Sequence, residues 1–374
     1  MKKIKESKKN NLEKTSAKRM NFDYFQKIVN EEALEGNKKN TKILLPNRNN
    51  IKLVANEIFN DGVVAFGTET VYGLGANCFS SKAVEKIFSL KGRPNDNPLI
   101  CHIYNFLQLK DLASVVPDVA VELAKRFCPG PLTFIFNKKS KVPIITTAGL
   151  NTVAVRMPSN KDALKFITAC SVPLAAPSAN ISGTVSPTTA THVFNDFNGK
   201  IDYILDTGAC DIGLESTVLD VTSDVPKILR TGAISLKDIE EIVGKGKVIL
   251  ATNPVDKPAS PGMKYRHYAP KAKVLFASYK SDMHDNINVI YDEAIKDGKS
   301  PVILCLEVNS KKYKERQHII MGNNLNSYAN KLYSSLRQAD EIGYNVVIAE
   351  GVPNIGIGSA IINRLLKASE DTVI

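Results

Sequence analysis

Thr133-Phe-Ile-Phe136 is followed, close by in sequence, by Thr152-Val-Ala-Val-Arg-Met157. Both runs are short and rich in β-branched and aromatic residues, and both read as strands. Alternation places Thr152, Ala154 and Arg156 on one face of the second strand and Val153 and Val155 on the other. A cation at the end of a strand with an apolar back face marks the wall of a cleft. Outward from this pair, regular structure starts near Thr41-Lys-Ile-Leu44, and further strands read at 62–67, 98–103, 172–176, 203–205 and 216–221. Helices read at 53–59, from Ser80-Ser81 to Gly92-Arg93-Pro94, and over Asp118–Phe127, which carries Ala120, Leu123, Ala124 and Phe127 at helical spacing. Strands crowd together without strict strand–helix alternation. The fold class is therefore α/β of a mixed, α+β-like kind, with a twisted mixed sheet, not a doubly wound one.

The texture changes near residue 236. A short helix at 236–243 leads into Thr252-Asn-Pro-Val-Asp-Lys-Pro-Ala-Ser-Pro-Gly262, whose prolines and terminal glycine mark a linker or an active-site loop. Strands at 273–276, 302–306 and 346–349 then alternate with helices at 283–297, 325–342 and 357–368, which predicts a small, partly parallel sheet. The chain thus divides into a basic extension (1–45), a first domain (46–235), a linker or active-site loop (236–272) and a smaller α/β domain (273–374).

The net charge of +11 is unevenly spread over the 374 residues. Residues 1–20 hold eight basic and two acidic side chains, +6 in all, which leaves +5 for the remainder. A solvated, disordered tail accounts for that excess; weak RNA attraction and organelle targeting are the alternatives. No apolar run is long enough to span a membrane and no secretory signal follows the basic start. The six cysteines, at 78, 101, 128, 170, 210 and 305, form no Cys-x-x-Cys pair, so neither a disulfide framework nor a zinc site is indicated and a cytoplasmic setting fits.

The standard nucleotide loops are absent from the sequence. A phosphate site here must rest on side chains and scattered backbone amides. Lys91-Gly-Arg-Pro-Asn-Asp-Asn97 follows a helix C-terminus and presents a point charge and a planar fork. Its local alternative is plain: Lys91 complements the helix dipole and Arg93 is solvated. Thr68-Glu-Thr70 and Ser178-Ala-Asn180 each place two hydrogen-bonding side chains on one side of an extended segment. His102, at the end of a strand, reads locally as a structural histidine, and Ser216 and Arg230 are unremarkable singly.

Taken in order, Thr68-Glu-Thr-Val-Tyr-Gly-Leu-Gly75, Lys91-Gly-Arg93, Pro129-Gly-Pro-Leu-Thr133, Val155-Arg-Met-Pro158, Ser178-Ala-Asn180 and Glu215-Ser-Thr-Val218 resemble the YrdC-type domain. Ser260-Pro-Gly-Met-Lys-Tyr-Arg-His-Tyr-Ala-Pro270 resembles the interdomain loop of the two-domain members, and Gly356-Ile-Gly-Ser-Ala-Ile-Ile-Asn-Arg-Leu-Leu-Lys-Ala368 the end of their second domain. The resemblance covers roughly 47–370 and leaves the N-terminal extension without a counterpart. It implies a threonylcarbamoyl-AMP synthase: a nucleotidyltransferase that makes L-threonylcarbamoyladenylate and pyrophosphate from L-threonine, bicarbonate and ATP, the latter with Mg²⁺. It further implies a basic cleft, a Rossmann-like second domain, and a separate downstream transferase acting on tRNA. By resemblance, Thr70, His102, Arg156, Ala176 and Ser216 bind threonine. Lys91, Arg93, Asn97, Thr152, Ser178, Asn180, Ser186 and Arg230 bind ATP, with Tyr265 or Tyr268 closing over it. No residue stands out as a metal ligand. Two rivals are carried: a non-catalytic RNA-binding module with a basic concave surface, and a carbamoyl transferase of the hydrogenase-maturation type, whose Cys-rich segments this sequence lacks.

Overall fold

In the computed structural model, residues 40–251, 268–313 and 315–374 are described. A short helix that the sequence pattern allows near 21–35, Tyr265 and most of the proline-rich linker lie outside them. The first domain is built on an eleven-stranded mixed sheet. Its spatial order is Lys42–Leu44, Tyr203–Leu205, Val64–Gly67, Tyr72–Asn77, Leu174–Ala175, Ile100–His102, Thr152–Arg156, Leu132–Asn137, Thr217–Asp220, Lys227–Arg230 and Ile249–Leu250. Parallel and antiparallel pairings alternate irregularly across it, as the crowding of strands in the sequence implied.

The two strands that open the sequence reading pair antiparallel, with Thr133 opposite Arg156 and Ile135 opposite Ala154. Ile100–His102 pairs parallel on the other side, with His102 opposite Arg156 and Ile100 opposite Ala154. Because opposed residues share a face, His102, Arg156 and Thr133 form one row across the sheet. Ile100, Ala154, Ile135 and Val218 make a small apolar cluster beneath it. Val153 and Val155 point the other way, into the main core with Leu74, Val84, Ile87, Leu123 and Phe134. The predicted alternation therefore separates core from cavity along a single strand.

Local signals place the flanking helices. Ser80 caps Ser81–Lys91 by accepting from the Ala83 amide, and Gly92 ends it at φ 58°. That left-handed turn favours glycine and swings Arg93 back toward the sheet. Arg48–Phe59 starts earlier than predicted because Asn47 accepts from the amides of Asn49 and Asn50.

The second domain carries a four-stranded, wholly parallel sheet in the order Lys273–Phe276, Val346–Ala349, Pro301–Cys305 and His318–Ile320. Helices Met283–Lys296, Leu325–Ile342 and Gly358–Ala368 accompany it. Its core includes Tyr328, Leu332, Tyr333, Ile361 and Leu365, and Val71, Val185 and Leu214 of the first domain belong to the same cluster. The two domains thus share an apolar seam as well as polar contacts.

Candidate active site

The Thr68–Thr70 turn joins Val64–Gly67 to Tyr72–Asn77. The Thr68 hydroxyl donates to the Val71 carbonyl (2.7 Å), lies 2.9 Å from the Thr70 hydroxyl, and locks the turn. Arg156 reaches this turn from its strand. Its Nη1 donates to Thr70 Oγ1 (2.8 Å), its Nε to the Gly130 carbonyl (3.2 Å), and its Nη2 sits 2.7 Å from Glu69 Oε1. That ion pair is close but poorly aligned for a hydrogen bond. Arg156 and Glu69 are both buried, so the guanidinium is held by its surroundings rather than by solvent. His102 is buried beside it. Burial first, and the Arg156 charge second, pull its pKa down to about 3, so the ring is neutral at physiological pH.

Ser216, at the start of Thr217–Asp220, shares a 2.7 Å hydrogen bond with Thr133. Arg230 clamps the same residue, donating to the Ser216 carbonyl and hydroxyl, both at 3.1 Å. Arg93 is anchored by donation to the carbonyls of Asn97 and Pro98, both at 3.1 Å. Burial, countered by Tyr268 and reinforced by Arg230, lowers its pKa to about 10, which leaves it charged at neutral pH. Ser178 donates to Asn180 Oδ1 (2.6 Å), and Asn180 Nδ2 donates to the carbonyls of Ile181 and Thr184. Ser186 donates to Glu215 Oε1 (2.8 Å).

Thr70, Arg93, His102, Arg156, Ala176, Ser178, Asn180, Ser186, Ser216, Arg230 and Tyr268 line one cavity. The sequence drew them from segments nearly 200 residues apart, and the fold brings them together. Asn97 and Thr152 are not part of its wall. Neither is Lys91. Its ammonium is buried and donates to the carbonyls of Ser178 and Asn180, while the Ser182 amide donates to its own carbonyl. Burial and the neighbouring Arg93 push its pKa well below the ordinary lysine value. Lys91 thereby ties the two signature segments to each other. Among wall residues that the sequence did not nominate are Gly73, Ile100, Thr184 and Glu215. Glu215 is the informative omission: it adjoins Ser216 and accepts from Ser186, yet two further partners, Tyr333 and Arg364, lie in the other domain.

The cavity is thus cationic, with three guanidiniums directed by carbonyl and hydroxyl partners, and it is rich in small hydroxyls. Such a wall grips carboxylate and phosphate oxygens. No cluster of three or more His, Cys, Asp or Glu side chains able to hold a metal is present among the described residues.

Comparison with known proteins agrees with this fold. The Sua5/YciO/YrdC family model, described as telomere recombination, matches residues 56–232. The model described as the C-terminal domain of threonylcarbamoyl-AMP synthase matches 234–370. A threonylcarbamoyl-AMP synthase of Pyrococcus abyssi is 46% identical over 85% of this chain and 94% of its own length. One of Bacillus subtilis is 44% identical over 83% and 90%. The solved structure of P. abyssi Sua5 complexed with L-threonine superposes with a TM-score of 0.84 at 43% identity, over 89% of this chain and 99% of that one. With both domains matched in order, the chain belongs to the two-domain threonylcarbamoyl-AMP synthase family.

Proposed function

We propose that this enzyme joins L-threonine, bicarbonate and ATP into L-threonylcarbamoyladenylate and pyrophosphate. The observation that carries the reading is the convergence of Arg93, Arg156 and Arg230 with Ser178, Ser186 and Ser216 on one buried cavity. The chemistry needs little beyond positioning and charge. The threonine ammonium gives up a proton, the free amine attacks the bicarbonate carbon, water is lost and a carbamate forms. A carbamate oxygen then attacks the α-phosphorus, and the bond to the pyrophosphate oxygen breaks.

Arg156 takes the threonine carboxylate as a fork, with Thr70, His102, Ser216 and the Ala176 backbone completing the pocket. A neutral His102 suits this task, because an imidazolium would repel the substrate ammonium. Arg93, Ser178, Asn180, Ser186 and Arg230 receive the nucleotide, and Tyr268 closes the wall beside them. Mg²⁺ enters with ATP, held by phosphate oxygens and water. The product passes to a separate transferase that modifies tRNA, in the cytoplasm; among the described residues no helix is long and apolar enough to cross a membrane. The RNA-binding alternative is disfavoured because Arg93, Arg156 and Arg230 are only 8%, 4% and 6% exposed, out of reach of a nucleic-acid backbone.

Incubation with ATP, L-threonine and bicarbonate should yield a threonylcarbamoyl-AMP ion by mass spectrometry. Pyrophosphate release that ignores threonine, with no such ion, would refute the reading.

A further inference from the structure

Glu215 contributes the one carboxylate among the described residues that line the cavity. An ionised carboxylate facing a triphosphate repels it strongly in a water-poor site. Its charge is met largely from the other domain. Oε2 accepts from Tyr333 (2.8 Å), on helix Leu325–Ile342, and from Arg364 Nε (2.9 Å), on helix Gly358–Ala368, while Oε1 accepts from Ser186. Burial pushes the Glu215 carboxyl up, but Arg364 and then Arg230 pull it below the ordinary glutamate value, so the group stays ionised.

Arg364 is buried and uses its remaining donors nearby. Nη2 bonds the Thr231 carbonyl (3.0 Å), next in sequence to Arg230, and Nη1 bonds Asn363 Oδ1 (2.9 Å). Its guanidinium also lies 5.4 Å from the Tyr268 ring, which stacks on Tyr333 with centroids 5.4 Å apart. One arginine of the second domain therefore touches Glu215, the backbone beside Arg230, and the Tyr268 wall.

Building on the nucleotide site proposed above, we propose that Arg364 is a positioning residue for the ATP half of the active site. It neutralises Glu215 from the second domain, so that Arg230 stays directed at Ser216 and the cavity stays cationic. Without it, Arg230 is the next cation in the field of Glu215 and turns toward the carboxylate. The threonine half, anchored on Arg156 and Glu69, does not depend on Arg364.

The test is direct titration of the full chain with MgATP and, separately, with L-threonine. Arg364→Met should weaken ATP affinity tenfold or more and leave threonine affinity within about threefold. Glu215→Gln in the same chain should restore most of the ATP affinity, because the neutral amide no longer repels phosphate; packing loss alone predicts no such rescue. Equal loss of both affinities, or a double variant as weak as Arg364→Met, overturns the proposal. If thermal unfolding shows that Arg364→Met does not fold, Arg364→Lys decides. It keeps the charge, so ATP affinity within threefold of wild type supports the role and a tenfold loss overturns it. A chain that binds ATP but makes no threonylcarbamoyl-AMP would defeat the functional reading while leaving this inference intact.

Discussion

The cavity has two ends, and each is built on a buried arginine–glutamate pair. At one end Arg156 meets Glu69 at 2.7 Å, both from the first domain and both within the span of the predicted motifs. At the other, Glu215 meets Arg364 at 2.9 Å across the domain boundary. The first pair aims a cation at the cavity and backs it with an acid. The second presents an acid to the cavity and backs it with a cation. On the assignment proposed above, the threonine end is self-contained, while the nucleotide end is completed by a second domain that supplies no lining arginine among the described residues. Buried ion pairs are poor general stabilisers, because desolvation offsets most of their attraction. Their retention here is better understood through what they orient.

The largest expected break of this symmetry is at Arg156. Arg156→Ala removes the fork and leaves Glu69 buried without its partner, so the kcat/KM for threonine should fall roughly a hundredfold or more. ATP affinity should survive. Steady-state kinetics with each substrate varied separately check this, and an unchanged threonine dependence would move the carboxylate site elsewhere. Arg156→Lys is the companion variant: it keeps the charge but lacks the planar fork, so it should recover only part of the loss.

A second break lies at Lys91, which belongs to neither end but holds the strip between them. Lys91→Met leaves the carbonyls of Ser178 and Asn180 buried without their donor. Each orphaned acceptor costs about 1–3 kcal/mol. Denaturant unfolding should show that loss of stability, with ATP affinity falling in parallel because Ser178 and Asn180 lose their register. A stable variant that is selectively defective in ATP binding would mean instead that Lys91 reaches the phosphates directly.

The same contrast explains what the sequence could and could not disclose. The alternation in Thr152–Arg156 put Arg156 on the cavity face and two valines in the core, because side-chain direction in a strand is a local property. The helix Lys161–Cys170 carries an equally local signal, with Asn160 capping and Ala163, Phe166, Ile167 and Cys170 on its buried face, yet the sequence reading omits it. Tyr72–Asn77 is harder. The sequence reading does not list it among the strands, and its glycines serve close packing: a Cβ on Gly75 would lie 2.7 Å from the Phe66 ring. Glu215 was opaque for a third reason. Its partners Tyr333 and Arg364 stand 118 and 149 residues away, so its role is set by how the domains dock. The resemblance supplied the order of the motifs, but not which residues face the cavity and which support it.

A pH prediction sharpens the threonine end. His102 has a folded pKa of about 3, against an ordinary value of 6.5. Between those limits the unfolded chain binds one proton more than the folded one. The resulting stability is fully present above about pH 6.5 and falls by up to about 1.4 kcal/mol per pH unit as the pH drops toward 3. His102→Gln should flatten the acid limb of the stability profile by about 2 kcal/mol between pH 6.5 and 5. The profile of kcat/KM for threonine should show no inflection from this residue between pH 5 and 8. An inflection lost in His102→Gln would mean that the ring titrates in the active site, and the neutral-imidazole account would fall.

The smallest effect is expected from the most charged segment. Residues 1–39 carry the +6 cluster of the first twenty positions, yet each cation assigned to substrate lies in the cavity and is directed by neighbours in the first domain. The first strand, Lys42–Leu44, pairs at the edge of the sheet opposite Tyr203–Leu205, and the Thr41 hydroxyl is already tied to the carbonyls of Phe197 and Ile201. A chain beginning at residue 40 therefore retains the anchors of that edge. Its kcat/KM for both substrates should stay within about twofold of the full chain, since the partners that direct Arg93, Arg156 and Arg230 all lie within the retained residues. A larger loss confined to low salt would show that the tail steers anionic substrate toward the cavity, and a loss independent of salt would show that it is part of the site.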